Sequence, residues 1–353
     1  MTDSVQIRQD KGVGHITLNR PKALHALNLP MCEAILAALR SWANDPEVYL
    51  VLIDHAAETR GFCAGGDIAM LRNSGMADGA EARAFFAEEY RLNAAIKAFP
   101  KPYLALMDGV TMGGGVGLSV HGSHRIATER TIFAMPETGI GLFPDVGGGW
   151  FLPRLPGALG YWLALTGARL KGTDVVAAGV ATHFLPSELV PNLKTQIAMA
   201  DFSAGAAEML GEILSSATHK VPAGSFQVQM DEINTCFGQS RMEDILSALR
   251  AQDSEWSAKQ AEILQTKSPE TLKVTLRQLL EGAQAPSFEA NMQMEYRIGC
   301  RKIHTPDFIE GVRAVIIDKD HAPLWSPATL EAVTDQDIDR YFEPLQAGDL
   351  SFD

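Results

Sequence analysis

The stretch FAMPETGIGLFPDVGGGWFLPRL, residues 133 to 155, sets two acids, Glu137 and Asp145, among apolar residues, glycines and prolines. Carboxylates lined by Ile140, Leu142, Phe143 and Val146 lose solvation, which raises their pKa and makes the ionised form a stronger base or nucleophile. A lone acid at either place has a structural use: Glu137 at a helix N-terminus near unpaired amides, Asp145 as the cap of a glycine turn. Two acids together in one apolar, glycine-rich stretch make each a candidate base or nucleophile.

Three glycine clusters accompany them: Gly65-Gly66, Gly113-Gly114-Gly115 and Gly147-Gly148-Gly149. A P-loop needs G-x-x-x-x-G-K-[ST], a dinucleotide fingerprint G-x-G-x-x-G and a serine elbow G-x-S-x-G, and the clusters match none of these. A backbone role is left. A strand that runs into glycines and then a helix presents unpaired N–H groups at the positive end of the helix dipole. Two such loops converging on one carbonyl oxygen would form an oxyanion hole, in which one donor stabilises the transition state by about 2.7–4 kcal/mol. The plain alternative is that these glycines only permit tight turns and close packing.

The elements that must position these groups read as follows. SVQIRQDKGVGHITLNRP alternates as a β-hairpin, and NLPMCEAILAALRSWAND reads as a helix with Asn28 as N-cap, Pro30 in the first turn and Met31, Ile35, Leu39 and Trp42 on one face. VYLVLID is a buried strand, HAAETRGFCAGGDI a loop, and residues 79 to 98 are helical. YLALMDG is a strand before the glycine loop VTMGGGVGLSVHG, which opens into a helix; HRIATE and TIFAM are short strands. This alternation is that of an α/β fold. From residue 186 the pattern turns helical, with RAVIID the one strand-like segment. A boundary near 200 gives a core of residues 1–200 and a helical region of 201–353.

With 353 residues, 46% hydrophobic and 21% charged, the chain can bury a large core. Its net charge of −13 without a Lys/Arg-rich run argues against nucleic acid or an anionic membrane as partner. The four cysteines, Cys32, Cys63, Cys236 and Cys300, form no C-x-x-C pair, so reduced thiols are expected. The start has neither an apolar signal core nor a transit character, and the expected location is cytoplasmic. His121 and His124 share a helical spacing but lack a third ligand, so no metal is expected.

FCAGGDI (62 to 68) and KPYLALMDGVTMGGGVGLS (101 to 119) together resemble the crotonase, or enoyl-CoA hydratase/isomerase, superfamily, and NRPKALHALN (19 to 28) is similar to its N-terminal coenzyme A loop. Within it, EEYRLN, the 133–155 stretch, ALTGARLKGTDVVAAGVATHF and DFIEGVRAVIIDKDHAPLWSP are similar to the 3-hydroxyisobutyryl-CoA hydrolase branch. The resemblance implies a spiral of ββα units with a helical C-terminal region, and a hole whose two amide donors are those of Gly66 and Gly114. It implies coenzyme A contacts at Lys22, Ala23, Ala26, Ala64, Asp67 and Ile68, and a substrate contact at Glu89. His25 stands where the superfamily often has Asn. A hydratase carries a second Glu three residues after its hole glycine; here that residue is Gly117, while Asp145 follows Glu137 by eight residues as in the hydrolase branch. The implied activity is hydrolysis of 3-hydroxyisobutyryl-CoA or a close short 3-hydroxyacyl-CoA, as in valine breakdown. Glu137 then attacks the thioester or activates water, and Asp145 orients water or handles a proton. No cofactor is implied, since coenzyme A is part of the substrate; the molecule is a monomer or a homo-oligomer. The alternatives are a hydratase or isomerase, and a non-catalytic acyl-CoA-binding member of the fold.

Overall fold

Alternation at the start of the chain produces the expected hairpin: β1 (Val5–Asp10) and β2 (Val13–Leu18) pair antiparallel. Their turn residues Lys11 and Gly12 are both left-handed, at φ 46° and 81°, the turn geometry whose twist matches that of the strands. The computed structural model describes residues 3–56 and 59–352; residues 57 and 58 of the loop expected after the first parallel strand, and the extreme ends of the chain, lie outside the described residues.

Eight further strands complete two sheets: β3 (Leu50–His55), β4 (Gly61–Cys63), β5 (Tyr103–Met107), β6 (Val110–Met112), β7 (His124–Ala127), β8 (Ile132–Ala134), β9 (Leu170–Lys171) and β10 (His183–Phe184). One sheet has the order β1-β2-β3-β5-β7-β10 and the other β4-β6-β8-β9. From β2 onward the larger sheet is parallel, and β3 and β5 are buried along nearly their whole length, as strands covered on both faces must be. β4, β6, β9 and β10 have two or three residues each, too few for alternation to reveal, and β4 lies inside the segment expected to be a loop.

The division at residue 200 remains a proposal about chain order. By contacts the chain forms two compact units that interleave in sequence: residues 1–66, 91–133 and 170–225 make the first, and 67–90, 134–169 and 226–353 the second.

In the first unit, helix Leu29–Asn44 begins where Asn28 accepts the Met31 N–H at 3.1 Å, and its Trp42 ring lies against Gly14 of β2. Leu50, Leu52, Leu104, Leu106 and Ile126 pack with Leu193, Ile197, Leu210 and Leu214 of helices Val190–Met199 and Ala206–Ala217.

The second unit is helical, and several of its helix starts are capped by side chains that satisfy first-turn amides. Ser254, Ser268, Ser287, Thr305 and Thr334 each accept such an N–H, and Thr334 with Asp337 completes a capping box. RAVIID, expected to be strand-like, is instead a wide helical turn, Arg313–Ile317, continuing helix Pro306–Val312. Among the described residues it has no strand partner; Ile316 and Ile317 are exposed, and Arg313 is tied to Glu310, Asp318 and Asp320. Among the described residues no helix is long and apolar enough to cross a membrane.

Candidate active site

In the first unit, β4 and β6 are parallel neighbours, with Gly61 opposite Val110 and Cys63 opposite Thr111, so the glycine loops that follow them leave at the same end. Their approach is closest at Gly115, where a Cβ would lie 2.2 Å from the Cys63 carbonyl oxygen; only glycine fits. Gly114 opens helix Gly114–Ser119, and its N–H is one of those a helix leaves without an internal partner. Leu27 donates to the Gly65 carbonyl at 2.8 Å in a parallel bridge between Leu27 and Gly66, a pairing that leaves the Gly66 N–H out of the ladder. An ideal Cβ on Gly65 would be 4.0 Å from the Gly114 nitrogen, so the two loops adjoin.

The 20–27 loop is stitched to the same place. Ala64 donates to the Leu24 carbonyl at 3.0 Å, and the Cys63 thiol donates to the His25 carbonyl at 3.2 Å. This brings Lys22, exposed, and Ala23 and Ala26, half-buried, to Ala64. His25 fixes the loop: its Nδ1 accepts the Arg20 N–H at 3.0 Å, which leaves Nε2–H to donate to Thr59 Oγ1 at 2.9 Å. Burial, then His55, lower its pKa to about 4, so the ring is the neutral one this pattern requires. Asp67, next in the chain, caps helix Ile68–Gly75 by accepting the Met70 N–H at 3.2 Å.

In the second unit, Glu137 and Asp145 are each 6% exposed and Glu89 is 2% exposed. Glu137 begins the short helical turn Glu137–Ile140 behind Pro136, and among the described residues its Oε2 has no hydrogen-bond partner. Glu89 Oε1 has none either. Burial, and after it the charge of Asp145, push both glutamate pKa values well above the usual carboxylate range. Burial raises Asp145 to about 7, opposed by the Tyr90 hydroxyl, which donates to its Oδ2 at 3.0 Å. Glu137 and Asp145 are thus desolvated, and Glu89 is buried rather than on a solvated helix face.

Asp145 sits in a turn of uncommon geometry. Val146 has φ 50° and Gly147 φ 87°; a buried β-branched residue in the left-handed region costs on the order of 1–3 kcal/mol. The amides of Gly147 and Gly149 donate to Glu295 Oε2 and Oε1 at 2.7 and 2.9 Å, and Asn291 Nδ2 donates to Oε1 at 2.8 Å. Gln278 Nε2 reaches both Glu295 Oε1 at 3.1 Å and the Pro144 carbonyl at 2.7 Å. Burial pushes the pKa of Glu295 up, but every group on its oxygens is a donor and none is placed to accept a proton, so in this arrangement the carboxyl is ionised. Neither Tyr90 nor Glu295 was singled out from sequence. The legible signal for Glu295 was an acid on the buried stripe of Phe288, Met292 and Ile298 in helix Phe288–Lys302.

His124 stacks on His183 with ring centroids 6.1 Å apart, and among the described residues no group of three or more His, Cys, Asp or Glu side chains is placed to hold a metal ion.

Residues 13–342 match the family model for enoyl-CoA hydratase/isomerase. The rat protein named 3-hydroxyisobutyryl-CoA hydrolase, mitochondrial, is 49% identical, over 99% of this chain and 91% of its own length. The human protein of the same name is 46% identical over 99% of this chain and 92% of its own. Among solved structures, one titled carnitinyl-CoA dehydratase, from Mycobacterium thermoresistibile, has a TM-score of 0.92 and 40% identity, covering 99% of both chains. Another, titled enoyl-CoA hydratase, from Rhodobacter sphaeroides 2.4.1, has a TM-score of 0.88 and 42% identity, covering 99% of this chain and 100% of that one. The fold class expected from sequence is the one these structures share. The cytoplasmic location is corrected by the relatives, whose names place them in mitochondria. Spaced, buried thiols report a reducing environment and do not distinguish one reducing compartment from another.

Proposed function

The chain belongs to the enoyl-CoA hydratase/isomerase family, and from that premise we infer that it hydrolyses the thioester of 3-hydroxyisobutyryl-CoA, or of a close short 3-hydroxyacyl-CoA, to the free acid and coenzyme A. The observation that carries the mechanism is Glu137 Oε2, buried and without a hydrogen-bond partner, on a carboxyl that desolvation makes strongly basic.

In this reading the Gly66 and Gly114 amides receive the thioester oxygen, and Lys22, Ala23, Ala26, Ala64, Asp67 and Ile68 contact coenzyme A. Glu89 contacts the acyl group. The reacting form in this mechanism has Glu137 ionised and one proton on Asp145. With that proton on Asp145, the Glu137 carboxylate attacks the carbonyl carbon; the C–S bond breaks, and Asp145 gives the proton to the leaving sulfur. This leaves a mixed anhydride on Glu137 and an ionised Asp145. Asp145 then takes a proton from the water that opens the anhydride, restoring both carboxyls and releasing the acid. Coenzyme A arrives with the substrate, and the reaction needs no further cofactor.

Hydration is the second reading, supported by the titles of the two solved structures above. Gly117 stands where a hydratase carries its second Glu, which puts hydration behind hydrolysis. The test is free-thiol release from 3-hydroxyisobutyryl-CoA beside hydration of crotonyl-CoA. We expect thiol release that Glu137→Gln lowers by about 10²–10⁴-fold, with negligible hydration. Hydration without thiol release would overturn the hydrolase reading.

A further inference from the structure

We infer that Glu295 is a positioning residue for Asp145: its buried carboxylate, fixed by Gln278 and Asn291, holds the Asp145 turn through the amides of Gly147 and Gly149. The inference rests on the reading of Asp145 as a reacting group.

The turn has no conformational preference of its own for the observed shape. Val146 is left-handed at φ 50°, where a valine prefers extended or right-handed backbone, so neighbours must hold the segment. They do so on both sides of Asp145. Ahead of it, Gln278 donates to the Pro144 carbonyl at 2.7 Å; behind it, Glu295 accepts from Gly147 at 2.7 Å and Gly149 at 2.9 Å. The glycines allow that approach, since a Cβ on Gly149 would lie 2.6 Å from Asn291 Oδ1. The side chain is then aimed by one more bond, from the Tyr90 hydroxyl at 3.0 Å.

Every group on the Glu295 oxygens is a donor: two backbone amides and two side-chain amides. An ionised carboxylate accepts all four, whereas a glutamine must turn an NH₂ toward at least one of them. Glu295→Gln therefore preserves size and burial and breaks the clamp. A residue that served only the stability of the helices would lower the melting temperature and leave the turnover of folded molecules unchanged. One that acts through Asp145 lowers kcat, leaves KM within about twofold, and loses its effect once Asp145 can no longer handle a proton.

The experiment is a double-mutant cycle on the full-length protein, with thiol release from 3-hydroxyisobutyryl-CoA as readout and circular dichroism as the check on folding. Asp145→Asn alone tests the reading of the site; if it leaves kcat unchanged, that reading fails and this inference falls with it. Given a loss there, we expect Glu295→Gln to lower kcat about 10- to 100-fold in the otherwise unaltered protein and less than about twofold in the Asp145→Asn background. Equal losses in both backgrounds, or an unchanged kcat in the single variant, would overturn the positioning role while leaving Asp145 in the mechanism. Should Glu295→Gln fail to fold, Gln278→Met removes the bonds to Pro144 and Glu295 and is judged by the same criterion.

Discussion

Glu89 shows what burying an acid does to stability. It is 2% exposed, one of its oxygens is unpartnered, and burial followed by the charge of Asp145 raises its pKa well above the usual range. The native state thus holds a proton that the unfolded chain releases once the pH passes about 4.3. With more protons bound folded than unfolded, stability is greatest below that value and falls, by at most about 1.4 kcal/mol per pH unit for one such group, until the folded pKa is reached. Glu89→Gln removes the titration. The variant should gain stability relative to the unaltered protein from pH 5 to pH 8 in urea denaturation, while losing thiol release. A stability difference that stays flat across that range would mean Glu89 is solvated in solution.

Elements carry the next level of precision, and Gly115 is where it is tightest. A Cβ there would sit 2.2 Å from the Cys63 carbonyl oxygen, a backbone atom that cannot move without displacing β4. Gly115→Ala should cost about 1–3 kcal/mol in urea denaturation. It should also lower thiol release about tenfold or more, because the Gly114 amide moves with its neighbour. Unchanged turnover would take that amide out of the reaction. The same strand pair shows what sequence could and could not reveal. Asn28 before a four-four-three apolar stripe gave the helix at Leu29–Asn44, and continuous apolar runs gave β3 and β5, because both patterns extend over several residues. β4 and β6 are defined by strand pairing, with each other and of β6 with β8, and no local pattern of three residues encodes that. Glu137 and Asp145 were legible because charge is conspicuous in an apolar loop. Tyr90 was not, since a tyrosine on a helix beside two glutamates looks the same whether its hydroxyl meets solvent or Asp145. Glu295 is chemically conspicuous only once Gly147 and Gly149 are seen against it.

At the scale of the whole molecule, the helical unit is tied together by charge as well as apolar packing. Lys302 is fully buried and donates to Glu270 Oε2 at 3.1 Å, while Arg340 donates to Oε1 at 2.8 Å, linking helices Pro269–Ala283, Phe288–Lys302 and Asp335–Phe342. Removing one member of a buried pair costs about 3–5 kcal/mol, whereas replacing both with apolar groups is often neutral. Lys302→Met should lose stability on that scale in urea denaturation, and Lys302→Met with Glu270→Leu should recover most of it. A single variant as stable as the unaltered protein would show the pair to be dispensable. The order in which the chain is made adds a consequence of its own. Gly147 and the carboxylate that holds it are 148 residues apart, and synthesis runs from the N-terminus at about 5–20 residues per second. For roughly 7–30 seconds a growing chain carries Glu137 and Asp145 with no Glu295 to receive their loop's amides. On the ribosome, Glu137 and Asp145 emerge well before the carboxylate that accepts their loop's amides, so a chain released early leaves with both acids and without Glu295.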